Sequence, residues 1–276
     1  MKFIKSKYNQ IKSELYSKKL RFSDIVPHAV YNKAIIDSNT LDNYNTVLLN
    51  PHTLNEFIFK KNIIQDVIHL LENLSEDFYK EYTLIYYNEG LKAFGDQWKY
   101  ADIVTVLFAL SKLIQPESYL EIGVRKGRSL AMVASNCPNC KLFCFDLWQE
   151  NYAGIDNPGE KFVRKELVKV GYRGAAQFIN GDSHLTLNSF FESNRELFFD
   201  MITVDGDHSY YGAARDLIDV LPKLKIGGVL VFDDISNPRH PYLIEVWNKY
   251  VKSNERFSTY EFNQLGYGIA YAIRQY

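Results

Sequence analysis

The sequence predicts an α/β fold: a doubly wound, mostly parallel sheet that finishes in an antiparallel hairpin. Three observations lead there. From about residue 100 onward, short apolar runs alternate with amphipathic helical patterns, the rhythm of strand–helix–strand crossovers. Two of those runs, Met201–Val204 and Val229–Phe232, stop abruptly at aspartates. At the end, "RFSTYEF" and "YGIAYAIR" are joined by the tight "NQLG", so the last strand enters antiparallel.

Taken in order, the first hundred residues are aromatic and rich in Lys and Asn. Their apolar positions fall at helical spacing, as in Ile63, Ile64, Val67, Ile68 and Leu71. Residues 1–97 are expected to form a helical segment, a lid or a dimer contact, and 98–276 the sheet domain. A helix through "ADIVTVLFALSKLI" leads to strand "SYLEIG", helix "GRSLAMVASN", strand "KLFCFD", helix "EKFVRKELVKVG" and strand "AQFIN". Helix "LTLNSFFESN", strand "DMITVD", helix "YYGAARDLIDVLPKL", a Gly-Gly turn and strand "GVLVFDD" follow. Helix "YLIEVWNKYVKS" precedes the hairpin.

Composition narrows the function. With 276 residues, 46% of them hydrophobic, the chain can bury a large core. A net charge of −1 argues against a general nucleic-acid binder, which needs a basic excess. The basic start is not followed by the apolar run of a secretory signal, and no run approaches the roughly 18 apolar residues of a membrane span. A cytoplasmic protein without a membrane partner is expected. Cys137, Cys140 and Cys144 lie close together, but zinc needs four ligands and no second pair exists. They are expected to belong to a turn at Pro138 and to a buried strand.

Chemistry gathers at the strand ends. Gly123 closes strand one and Gly127 opens the next helix, with Arg125 where a dinucleotide binder needs its second glycine. NAD is therefore disfavoured. The loop still admits a ligand to the backbone, and the helix amino end with Ser129 suits a carboxylate. Asp146 ends strand two, where an acid reads as a ribose-hydroxyl acceptor. "INGDSH" ends strand three, offering Asp182 to an adenine amino group, with Ser183 beside it.

On "LEIGVRKGRS", "FCFDLW", "NGDSH", "VDGDHSY" and "GGVLVFDD", the chain from about Trp98 to Ile273 resembles a class I S-adenosylmethionine-dependent methyltransferase. More narrowly it resembles the metal-dependent O-methyltransferases of the macrocin and mycinamicin sugar type, with catechol enzymes further off. The resemblance implies a Rossmann-like fold and S-adenosylmethionine held by Glu121, Gly123, Gly127, Ser129, Asp146, Asp182 and Ser183. It implies Asp205, Asp233 and Asp234 as ligands of Mg²⁺ or another divalent cation, although the sugar enzymes commonly carry Glu at the position of Asp233. His208 falls where those enzymes place their base.

Electrostatics agrees, since converging carboxylates repel one another unless a cation neutralises them. Asp207 is a spare ligand candidate or an ordinary helix-capping residue. The expected acceptor is a small molecule or sugar offering a vicinal diol, with Tyr86, Tyr87, Trp98 and Tyr100 available as a stacking wall or as core. A catalytically silent adenosyl-binding interaction protein and a cephalosporin-hydroxylase-like member are the alternatives.

Overall fold

The computed structural model describes residues 49–276 apart from 152, 153 and 155. Residues 1–48 of the expected N-terminal segment lie outside the described residues. Seven strands form one sheet in the order β3-β2-β1-β4-β5-β7-β6. They are β1 (Ser118–Ile122), β2 (Lys141–Asp146), β3 (Ala176–Asn180), β4 (Phe199–Val204), β5 (Leu224–Asp233), β6 (Phe257–Phe262) and β7 (Ile269–Arg274). β1 to β5 pair in parallel, and β7 runs antiparallel between β5 and β6. The doubly wound sheet with an antiparallel hairpin is the expected one. Because chain order reverses between β1 and β4, their carboxyl ends part into a crevice, where open α/β sheets bind ligands.

Side chains alternate across the sheet and feed two cores. Tyr119, Cys144, Met201, Val229 and Val231 pack under one layer. That layer is α1 (Pro51–Ile58), α2 (Lys61–Asn73), α3 (Phe78–Phe94), α4 (Ile103–Ile114), α5 (Arg128–Asn136) and α6 (Glu160–Lys169). Leu120, Ile122, Ile202, Val204, Leu230 and Phe232 face α7 (Ser183–Ser193), α8 (Tyr210–Val220) and α9 (Leu243–Trp247). The α9 helix continues as a wider turn over Asn248–Lys252.

The periodic positions predicted in α2 all turn inward, and Leu54, Val67 and Tyr87 join the same core as the strands. Polar contacts pin this early layer to the sheet domain. Asp77 caps α3, binds Arg128 at the start of α5 and lies 3.4 Å from the Lys126 amine. Glu166 on α6 accepts both the amide and the hydroxyl of Ser75 at 2.7 Å.

One expected feature differs. Gly227 and Gly228 form no turn ahead of β5 but lie within it, where Gly227 has φ 80° and the pairing with β4 shifts register. The glycines mark a bulge: the pairing steps from Phe199 with Leu224 to Met201 with Val229, so extra residues of β5 are accommodated inside the strand.

Candidate active site

The crevice has two halves. On the first, three loops are held by side chains at the strand ends. A Cβ added to Gly123 would lie 1.9 Å from the Asp205 carbonyl oxygen, so only glycine lets the loop after β1 pass the end of β4. Gly123, Arg125 and Gly127 alternate in left-handed backbone, with φ of 92°, 51° and 72°. Asp146 anchors this loop: its Oδ2 accepts the Arg125 amide at 2.6 Å and its Oδ1 the Trp148 amide at 2.5 Å. Asp182 caps α7 by accepting the His184 amide at 2.9 Å and stays exposed. The Ser183 hydroxyl donates to Asp216 at 2.7 Å.

Glu121 and Ser129 are brought together and occupy each other. Ser129 donates its hydroxyl to Glu121, and the Tyr119 hydroxyl reaches the other carboxylate oxygen at 2.7 Å. Burial pushes the Glu121 carboxyl up to about 8, and those two hydrogen bonds oppose the shift.

The second half is short of positive charge. Asp205 follows β4 and Asp234 follows β5, on neighbouring strands. His208 stands between them, its Nε2 3.3 Å from Asp205 Oδ1 and 3.0 Å from Asp234 Oδ2. One ligand atom from each of the three lies within 4.8 Å of the others, a spacing that can hold a metal ion. Burial raises the Asp205 pKa while His208 lowers it; the side chain keeps 26% exposure, so the desolvation is partial. Asp234 has φ 63°, a left-handed conformation that Asp tolerates better than most residues and that turns its carboxylate toward His208.

Asp233 lies outside that group. Its carboxyl is pushed well above the ordinary range by burial, then by Asp205 and Asp234, and it also feels Asp102 on the other side. Strand alternation explains the separation: Asp233 shares the face of Val229 and Val231, beneath the aromatic residues. Asp207 is a local turn residue, accepting the Ser209 amide at 2.7 Å, while Ser209 caps α8.

The four aromatic residues divide between core and rim. Tyr87 is fully buried with its hydroxyl on Asp102 at 2.5 Å. Asp102 forms a capping box with Thr105 at the start of α4. Tyr100 is also buried, and half-buried Trp98 stacks on it at 5.1 Å with Tyr86 at 5.0 Å. Tyr100 in turn feels the charge of Asp233. The wall therefore adjoins the acidic edge.

Two residues of this edge were not foreseen. Asn237 donates to Asp234 Oδ2 at 2.9 Å, and the His240 ring lies 5.1 Å from that of His208. Both belong to the loop "ISNPRHP", where the only sequence signal is an amide side chain three residues after an aspartate. The three cysteines are buried and free, in the turn around Pro138 and in β2, and burial alone lifts the Cys137 thiol to about 11.

Comparison with known proteins agrees with this fold. Residues 120–235 match a family model described as "Methyltransferase domain". No curated protein matches the chain in sequence. Among solved structures, the calicheamicin methyltransferase CalS11 is 18% identical with a TM-score of 0.50, covering 88% of this chain and 99% of its own. The O-methyltransferase TomG from Streptomyces achromogenes, solved with S-adenosylmethionine, is 19% identical with a TM-score of 0.50, covering 73% and 91%. At such identities these likenesses speak for the fold. The fold and the family match define residues 120–235 as a methyltransferase domain. Over those residues the chain is similar to methyltransferases.

Proposed function

We propose that the chain is an O-methyltransferase that methylates a hydroxyl of a sugar or other vicinal-diol small molecule with the help of a divalent cation, Mg²⁺ by preference. The observation that carries this reading is the meeting of Asp205, His208 and Asp234 at adjacent strand ends, beside the Gly123 loop. The donor set fits a hard cation: two carboxylates converge, with the His208 imidazole within 3.3 Å of both. Asp205 and Asp234 would hold the ion, and Asp233 remains a third oxygen donor in this reading although its carboxylate lies outside the group. When bound, the cation supplies charge neutralisation and a lowered barrier to deprotonating a coordinated hydroxyl. S-adenosylmethionine supplies the methyl group.

The chain's own residues do the rest. Gly123 admits the cofactor close to the backbone, Asp146 faces its ribose and Asp182 its adenine. His208 takes the acceptor proton on Nε2, as an imidazole base. Asn237 keeps the Asp234 carboxylate aimed, and Trp98 with Tyr86 walls the acceptor side. Alignment of the acceptor oxygen with the methyl group accounts for much of the rate. We further propose that residues 1–97 serve as a lid over that acceptor or as a dimer contact.

The test is incubation with labelled S-adenosylmethionine and a panel of sugar nucleotides and catechols, with and without magnesium. Label should pass to a diol-bearing acceptor only when magnesium is present. Transfer that is unaffected by a chelator would remove the metal, and transfer to nitrogen acceptors alone would remove the O-methyl reading.

A further inference from the structure

Asp216 on α8 is fully buried and has no evident part in packing or in the chemistry above. Its Oδ1 accepts the Ser183 hydroxyl at 2.7 Å and lies 3.5 Å from His184 Nε2. Its Oδ2 lies against Gly206, where an added Cβ would come within 3.0 Å, and the Asp207 backbone hydrogen-bonds the carboxylate, opposing the rise in pKa that burial imposes. A buried carboxylate is costly to desolvate, and here its partners come from separate segments of the chain.

Its neighbours supply one. Ser183 and His184 directly follow Asp182, the residue facing adenine in the proposed cofactor site. Gly206 and Asp207 lie between Asp205 and His208, the proposed ligand and base. His184 also reaches the Gly212 carbonyl oxygen at 3.2 Å with Nε2 and Asp182 Oδ1 at 3.2 Å with Nδ1. Around Gly212 the packing is tight, for a Cβ there would overlap the Asp207 carboxylate at 1.8 Å. The start of α7, the loop after β4 and the first turn of α8 thus meet at one buried acid.

We infer that Asp216 is a positioning residue: through Ser183, His184 and the Gly206–Asp207 backbone it makes occupation of the adenosyl site order the loop that carries Asp205 and His208. This rests on the adenosyl reading of the crevice but not on the metal. It couples the placement of the catalytic side chains to the presence of the methyl donor.

Hydrogen exchange on the full chain, with saturating S-adenosylhomocysteine, tests it. In the wild type the ligand should slow exchange both in residues 121–130 and in residues 204–212. Ser183→Ala and Asp216→Asn should keep the first protection and lose the second, and Ser183→Thr, which retains the hydroxyl, should restore it. Turnover of Ser183→Ala should fall about tenfold to a hundredfold in kcat, with little change in the KM of the acceptor, as expected for misplaced reacting groups. Unchanged protection of 204–212 in Ser183→Ala, or none there in the wild type while 121–130 is protected, would overturn the inference. Absence of protection in both segments would instead remove the adenosyl reading, and this inference with it.

Discussion

The two halves of the crevice use the same residue type in opposite states. Asp146, on the cofactor half, is 9% exposed and has each carboxylate oxygen answered by a backbone amide. Asp205 and Asp234, on the catalytic half, share a single imidazole, with one amide group from Asn237 added to Asp234. The first arrangement is complete without a ligand and shapes the loops a ligand will meet. In the second, beyond the effect of burial, the carboxylates raise one another's pKa against the pull of His208 and Arg125, a repulsion that a cation would relieve. His208 holds that place in the structure, so in the proposed reading its imidazole and a divalent ion would be alternative partners for the same two carboxylates.

The contrast can be broken most forcefully on the catalytic half. Asp205→Ala or Asp234→Ala should abolish magnesium dependence and nearly all turnover, measured with bound metal quantified. His208→Ala should lose about 10²–10⁴ in rate, the usual worth of a general base. Asn237→Ala leaves Asp234 without its side-chain amide donor, and groups that orient a ligand are typically worth about 10–100-fold in metal affinity. Titration with Mn²⁺ reads this directly, and an unchanged affinity would mean that the left-handed turn alone aims Asp234.

Changes on the cofactor half should be smaller and should appear in binding. Asp146→Ala is expected to weaken S-adenosylhomocysteine by about 1.5–3 kcal/mol in calorimetry, the scale of a hydrogen bond to a charged group. Equal affinity would remove the ribose assignment. The smallest effect concerns Glu121, whose carboxyl is raised from 4.5 to about 8 by burial. A raised acid keeps its proton in the folded state, so its stabilisation is full below about pH 4.5 and is lost as pH rises through 8. The melting temperature of the ligand-free wild type should therefore fall relative to Glu121→Gln across that window. Parallel curves would place the carboxyl at an ordinary pKa.

Most of the sheet and the convergence of Asp205 with Asp234 were legible in the sequence, because strand alternation and abrupt charged ends are local patterns. Gly123 and the start of α5 were legible for the same reason. What escaped depends on geometry that no spacing encodes. The left-handed backbone at Asp234 swings its side chain to His208, while Asp233, one residue earlier, obeys the pleat and faces Tyr100 and Asp102. Asn237 and His240 reach the site only because that turn brings the following loop back. The bulge at Gly227 read as a turn, since a Gly-Gly pair serves either purpose until its pairing strand is known. The early helices sit on the sheet core through Asp77 with Arg128 and Ser75 with Glu166, contacts 51 and 91 residues apart in sequence.

The claim that the catalytic half separates a cation site from a base is tested most directly by pH–rate profiles of His208→Ala beside Asp205→Ala, at saturating cofactor and with bound metal measured. His208→Ala should still bind the metal and regain rate as pH rises, because hydroxide can replace the missing imidazole. Asp205→Ala should bind little metal and regain nothing, its defect being one of position. A His208→Ala protein that loses metal as completely as Asp205→Ala, or one fully active at pH 7, would contradict the account: the first would make His208 a ligand, and the second would leave it without a role in proton transfer.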